Sequence, residues 1–210
     1  MSWSKNGETR GYHHGNLREA LIKAALDLIA EKGIAGATFA EAARRAGVSP
    51  AAPYRHFRDR DELLAAVAAA GFERFAGALE AGWNGGTPTP QEAYERMGRA
   101  YLAFARENPS DYVAMFESGL PADAHPALAQ ASQRAFGVLR EAADVLVASM
   151  PAPGRPPALM VALHTWALAH GVASLFGRPD ASRRKLPMSP EDLLEAGFLV
   201  YLKGVGAPGA

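Results

Sequence analysis

The sequence contains no cysteine, which excludes a disulfide framework, a thiolate metal site and a cysteine nucleophile. It lacks net charge as well, since 22 Lys and Arg stand against 22 Asp and Glu. No β-branched alternation of the kind that marks strands is present, so the chain is expected to be all-α. The opening residues, Met1-Ser2-Trp3-Ser4-Lys5-Asn6-Gly7-Glu8, hold no apolar run of the kind a secretory signal needs. There is no GxSxG, no HExxH, no Walker loop and no GxGxxG after a strand, and the breaker-rich stretch Gly82 to Thr89 lacks a phosphate-loop lysine. Those absences point away from an enzyme and leave no cofactor to be expected.

What is present is a chain of 210 residues, 49% of them hydrophobic, enough for one large domain or two small ones. The zero charge hides an asymmetry. Residues 1–60 carry ten Lys/Arg against six Asp/Glu, and residues 61–210 carry twelve against sixteen. A basic first third on an acidic body suggests that the first third meets a polyanion. Ala158 to Phe176 holds no Asp, Glu, Lys or Arg and has the length of a bilayer span. His164, Thr165, His170 and Ser174 interrupt it, so a helix buried on most sides within a soluble assembly is expected, with no membrane partner and a cytoplasmic location.

The punctuation is helical throughout. Leu17, Leu21, Ala24, Leu28 and Ile29 recur at three and four, and Gly33 is the expected stop. Thr38-Phe39-Ala40-Glu41 reads as a capping box opening a short helix that Gly47 ends. Ser49-Pro50 reads as an N-cap and first turn of the next helix, and Asp59 with Glu62 as the start of a fourth. Gly82 through Pro90 is expected to be a loop. Later helices are expected from Thr89, around Tyr112 to Phe116, at about 126–150 and 157–176, and after Ser189. That makes about nine helices, split into residues 1–60 and residues 61–210.

Residues 38–57 have the layout of a helix-turn-helix: a capped short helix, a Gly47-Val48-Ser49 turn and a second short helix to about Phe57. In such a unit the second helix enters the major groove of double-stranded DNA, and the first crosses the backbone. Pro53 falls where the first intrahelical donors are needed, so a tight or distorted turn is expected there.

At these residues a family resemblance is plain. Thr38 to Leu64, T-F-A-E-A-A-R-R-A-G-V-S-P-A-A-P-Y-R-H-F-R-D-R-D-E-L-L, resembles the DNA-binding segment of the TetR family of repressors. Tyr12-His13-His14-Gly15-Asn16-Leu17-Arg18 is similar to the lead-in of one branch, and Trp166-Ala-Leu-Ala-His170-Gly171 resembles that branch's Trp-His-Gly signature. The resemblance implies an N-terminal helix-turn-helix domain and a C-terminal helical domain that binds a ligand and dimerises. It places the Tyr54 hydroxyl on a phosphate and His56 near the backbone. Arg60 stands where most members have lysine, also for phosphate, and Thr38 belongs to the same DNA-binding set. Ser49, Pro50, Ala51, Ala52 and Arg55 fall at positions that face base edges. Of these, only Arg55 is able to grip guanine bidentately.

The C-terminal part carries a stripe of aromatic and methionine residues: Tyr94, Met97, Tyr101, Phe104, Tyr112, Met115, Phe116 and Trp166. Most of such a stripe is ordinary core. The sharper expectation is a cavity for a small apolar or aromatic effector, with Phe104, Tyr112, Met115, Phe116, Trp166 and His170 in its wall and His170 as the polar contact. His164 lies off that face, so no i,i+4 metal pair is expected. Two short helices, the one from Asp59 and the one around Tyr112, are expected to join the two parts. One short recognition helix offers few base contacts, which argues for a homodimer on a palindromic operator. The expected interface is the uncharged stretch 158–176 with Leu194, Phe198 and Tyr201, Gly171 allowing close approach. The rival reading is a small all-helical enzyme or ligand-binding protein, which leaves the capped helix pair unexplained.

Overall fold

A computed structural model of the chain describes residues 17–152, 154–177 and 187–205. The lead-in Tyr12 to Asn16 lies outside them. Among the described residues there are eight α-helices, three short 3-10 turns and no strand. The helices are α1 (Leu17–Gly36), α2 (Phe39–Arg45), α3 (Arg60–Trp83), α4 (Pro90–Glu107), α5 (Pro109–Glu117), α6 (Pro126–Ser149), α7 (Ala158–Gly177) and α8 (Pro190–Gly204). The all-α expectation holds, and the count falls one short of nine because the third expected helix is a 3-10 turn.

Local chemistry explains most of the boundaries. Thr38, Asp59, Thr89 and Ser189 each accept from the backbone N–H three residues on, at 3.3, 2.8, 3.3 and 3.0 Å, so each satisfies one of the free amides at a helix start. The Thr38 box is only half closed. The Glu41 carboxylate turns to Arg44 at 2.7 Å, and the Thr38 N–H goes to the Gly36 carbonyl. Gly33 does not end α1 cleanly. It takes a left-handed φ of 69° inside the element, and helical bonding resumes to Gly36.

α3 is the axis of the molecule. It packs on α1, α4, α5 and α6, with Leu63, Leu64, Val67, Phe75 and Leu79 buried along it. The expected short connector is instead a helix of 24 residues. Two of its glycines, Gly71 and Gly82, admit close neighbours and do not stop it. A Cβ on Gly71 would come within 3.0 Å of Met115, and one on Gly82 within 2.9 Å of Ala100. Gly82 therefore stays helical, and the loop expected from that residue begins only after Trp83. Arg96 closes this end by donating to the carbonyls of Gly82 (2.7 Å), Trp83 (3.2 Å) and Thr87 (2.7 Å).

α7 is long and apolar enough to cross a bilayer by length and composition alone. In the fold it packs on α4, α6 and α8. It is not buried on most sides within the single chain: Leu159, Leu163, Trp166 and Leu175 are exposed. α8 turns Leu194, Phe198 and Leu202 inward, and Phe198 lies so close to Gly98 that a Cβ there would meet its ring at 2.7 Å. Leu194 and Phe198 are thus core residues and not the interface residues expected from the sequence. Tyr201 is half-buried, its ring 5.5 Å from that of His164. The exposed large apolar residues of α8 are Leu199 and Val200.

Candidate nucleic-acid interface and ligand cavity

The reversal after α2 is made by Gly47 at φ 70°, with the Val48 N–H bonded to the Ala43 carbonyl at 3.0 Å. Ala42, Ala43, Pro53 and Phe57 are buried beneath the reversal. The element that follows is a 3-10 turn, Ala52–Arg55. Ala52 bonds back to Ser49 at 2.9 Å and His56 to Pro53 at 2.9 Å. Pro53 has no N–H for the α-helical bond to the Ser49 carbonyl, so the chain closes i,i+3 rings instead. Ser49 is not the expected side-chain cap, because the turn carries no side-chain cap bond.

This turn carries its polar side chains outward. Ser49, Pro50, Ala51, Tyr54, Arg55 and His56 are exposed, and Ala52 is half-buried. Tyr54 is 65% exposed, and its ring stands edge-on to Phe39 with centroids 4.9 Å apart, which fixes the direction of the phenol. Arg18 lies over the ring of Phe57 at 5.4 Å. The neighbouring cations are already paired. Arg44 holds Glu41, Arg45 holds Glu31, and Arg58 holds Glu62. The Arg45 and Arg44 hydrogen bonds keep Glu31 and Glu41 below the usual carboxylate range. Of the arginines between 44 and 60, Arg55 alone forms no ion pair among the described residues.

Arg60 is placed differently from the expectation. Its Nε donates to the Ala37 carbonyl at 2.9 Å and its Nη2 to the Ile34 carbonyl at 2.5 Å. The guanidinium thus joins the start of α3 to the α1–α2 junction, with two of its donor groups engaged by backbone carbonyls.

The C-terminal part encloses a cavity of about 470 Å³, within the ~300–1,000 Å³ common for small-molecule sites. Phe72, Phe75 and Leu79 of α3 form one wall, and Tyr94, Met97 and Tyr101 of α4 another. Phe136 and Leu139 of α6 face Leu163, Thr165 and Trp166 of α7, while Phe116 and Phe198 close the ends. Of the six residues expected in the wall, Phe116 and Trp166 are there. Phe104, Tyr112, Met115 and His170 stand behind it. Phe104 backs Phe75 with centroids 5.1 Å apart, and Tyr112 backs Phe116 at 4.8 Å. Met115 fills the space over Gly71. For Tyr112 and Met115 the cause is the setting of α5, which packs on α1 and α3 and leaves only Phe116 of that helix in the cavity wall. Sequence periodicity picks out Tyr94, Met97 and Tyr101 but does not separate lining from core.

Behind Phe116 lies a small polar cluster. His170 Nδ1 is 2.9 Å from the Tyr101 hydroxyl and 2.8 Å from that of Tyr112. Burial pushes the imidazole below its ordinary value of 6.5, partly opposed by Glu117, and burial likewise pushes the Tyr101 phenol up. A histidine with a depressed folded pKa contributes stability that is complete above pH 6.5 and is lost as pH falls below it. The melting temperature should therefore fall more steeply on acidification from about pH 7 to about pH 5 in the parent protein than in His170→Asn. Parallel slopes over that range would remove His170 from the account.

The two halves of this geometry coincide with known sequence patterns. Residues 21–67 match the family described as bacterial regulatory proteins, tetR family, and residues 94–198 match the tetracyclin repressor-like C-terminal domain. The chain belongs to the TetR family. Among curated relatives, the HTH-type transcriptional regulator BetI of Rhizobium meliloti (strain 1021) is 45% identical over 50 residues. That stretch spans 24% of this chain and 25% of BetI. A solved structure of a protein with unknown function from Rhodococcus sp. RHA1 is 28% identical and superposes with a TM-score of 0.78, covering 94% of this chain and 99% of the other. The TetR family transcriptional regulator PfmR of Thermus thermophilus shares the fold at 21% identity and a TM-score of 0.65, over 87% and 97% of the two chains. The fatty acid degradation regulator FadR of Bacillus halodurans shares it at 15% identity and a TM-score of 0.69, over 89% and 98%.

Proposed function

We propose that this TetR-family regulator is a repressor that binds a palindromic operator as a homodimer in the cytoplasm and is released by a small apolar or aromatic effector. In this reading residues 1–60 bind DNA, residues 61–210 bind effector and dimerise, and no membrane is involved. The observation that carries it is the double role of α3 and α5. Phe72 and Phe116 are in the cavity wall and in edge contact with each other at 5.4 Å, while both helices pack on α1 of the DNA-binding part. An effector that displaces Phe116 moves the surface on which α1 rests. It acts only by favouring a spacing of the two recognition turns that misses successive major grooves.

Thr38, Ser49, Pro50, Ala51, Ala52, Tyr54, Arg55 and His56 are the proposed DNA contacts, with Tyr54 and His56 on phosphate and Arg55 on a base edge. Arg60 is reassigned to positioning the junction. The test is a footprint on DNA flanking the chain's own gene, followed over a salt series. Tyr54→Phe should weaken binding to all sequences and flatten the salt dependence, because phosphate contacts release counterions. Arg55→Ala should change the preferred sequence at a cost of about 1–3 kcal/mol. An apolar effector should loosen the operator roughly five- to 150-fold, and Trp166→Ala with Phe116→Ala should blunt that response. A ligand that binds tightly and leaves operator affinity unchanged would end the switch reading.

A further inference from the structure

The polar chemistry of the cavity is confined to a few groups, and their hydrogen-bond accounts differ. No Asp, Glu, Lys, Arg or His is among the described residues that line it, so an ionised group drawn inside would lose its water without meeting a counter-charge. Arg134, next in sequence to the lining residue Gln133, is already bound to Glu73 and Glu80. Tyr101 is committed to the His170 cluster. Ser132, on the α6 side, is bonded to the Ala129 carbonyl at 3.0 Å.

The Ser132 oxygen keeps acceptor capacity and Gln133 keeps its amide, but Ser132 is half-buried and Gln133 exposed, whereas Tyr94 is buried. Its hydroxyl lies 2.7 Å from Thr165 Oγ1, and Thr165 Oγ1 lies 2.7 Å from the Val161 carbonyl and 3.2 Å from that of Ala162. A carbonyl only accepts, so the single Thr165 proton is directed to it, and Tyr94 must be the donor to Thr165. With its proton engaged, the Tyr94 oxygen retains acceptor capacity alone. Tyr201 Oη is also buried with no hydrogen-bond partner among the described residues, but Tyr201 is not among the residues that line the cavity. Tyr94, in the wall of the cavity, therefore keeps an unused acceptor.

We propose that the cavity selects an uncharged apolar molecule bearing a hydroxyl group, which donates to the phenolic oxygen of Tyr94. The inference rests on reading this cavity as the effector site, and it narrows the effector to a class: neutral alcohols or phenols, not fatty acids, and not ketones or ethers of the same shape. A carboxylate is rejected for want of a cation, and an ether for want of a proton to give.

The test uses three probes on the full chain: 1-decanol, its methyl ether and decanoate at about pH 8, followed by calorimetry and by tryptophan emission, since Trp166 is in the wall. The expected result is that decanol binds about fivefold tighter than the ether, the share of one net hydrogen bond, and at least about 100-fold tighter than decanoate. Tyr94→Phe should bring decanol down to the affinity of the ether and leave the ether unchanged. Decanoate binding as well as decanol, or equal binding of alcohol and ether by the parent protein, would overturn the proposal while leaving an effector cavity in place. If none of the three binds, the effector-site reading fails and this one fails with it. The comparison of probes on the parent protein stands even if the Tyr94 variant folds poorly.

Discussion

Val200→Glu or Leu159→Glu should yield a folded monomer that no longer protects operator DNA. Both residues are exposed apolar side chains, Val200 at 73% and Leu159 at 52%, and neither lines the cavity. They sit on α8 and α7, whose other large exposed apolar side chains are Leu163, Trp166, Leu175 and Leu199, with Val145 of α6 also exposed. Leu159, Leu163 and Trp166 are spaced four and three apart, so they share one helix face. An exposed apolar face of this kind marks an association surface, and a carboxylate buried in it would be unpaired on both sides of a two-fold. The recognition element is one turn, so the monomer keeps half of the base contacts. Specific binding commonly exceeds non-specific by at least about 10³-fold, and a loss of at least about 100-fold is expected. Light scattering at micromolar concentration gives the mass, and the footprint gives the protection. A dimeric Val200→Glu protein with an intact footprint would put the interface elsewhere.

Arg60→Ala should lower the melting temperature and the operator affinity together. The guanidinium satisfies the carbonyls of Ile34 and Ala37, and hydrogen bonds to charged groups contribute about 1.5–3 kcal/mol. Without it, the α1–α2 junction loses its tie to α3, and the recognition turn loses a fixed platform. Arg60→Lys should restore little, because an ammonium on a flexible stem does not reproduce the fork that reaches two carbonyls. Hydrogen exchange across residues 28–45 should speed up in the alanine variant. The opposite pattern, unchanged melting and exchange with weaker and less salt-sensitive DNA binding, would return Arg60 to the phosphate role the sequence suggests.

That reassignment shows where sequence reading reaches its limit. The caps at Thr38, Asp59, Thr89 and Ser189 are legible because a cap is a local event, decided by a side chain and an amide three residues away. The distortion at Pro53 is legible for the same reason. The destination of Arg60 is not, since Ile34 and Ala37 are 26 and 23 residues away and no periodicity links them. The cavity divides likewise. The aromatic stripe is visible, but whether a ring faces space or a neighbour depends on how far each helix is rotated. α5 is rotated so that Met115 lies over Gly71. Phe198 reads as an outward residue because Gly98, the gap that admits it, is far earlier in the chain. Gly82 reads as the start of a loop for a similar reason: a glycine that admits a close neighbour and one that ends a helix look alike in sequence.

The turn between Gly47 and Phe57 has a consequence for how fast and how selectively the chain engages DNA. Pro50 and Pro53 fix two backbone angles within four residues, and the Ala52 and His56 N–H groups hold the carbonyls of Ser49 and Pro53. The reading surface is therefore set before DNA arrives, and little conformational entropy remains to be lost on contact. Such an element cannot relax to suit an imperfect site, so a mismatch should appear as a faster departure from DNA more than as a slower arrival. Divergence in operator sequence among proteins that keep both prolines should then run through the side chains at 49, 54, 55 and 56, while the path of the backbone stays the same.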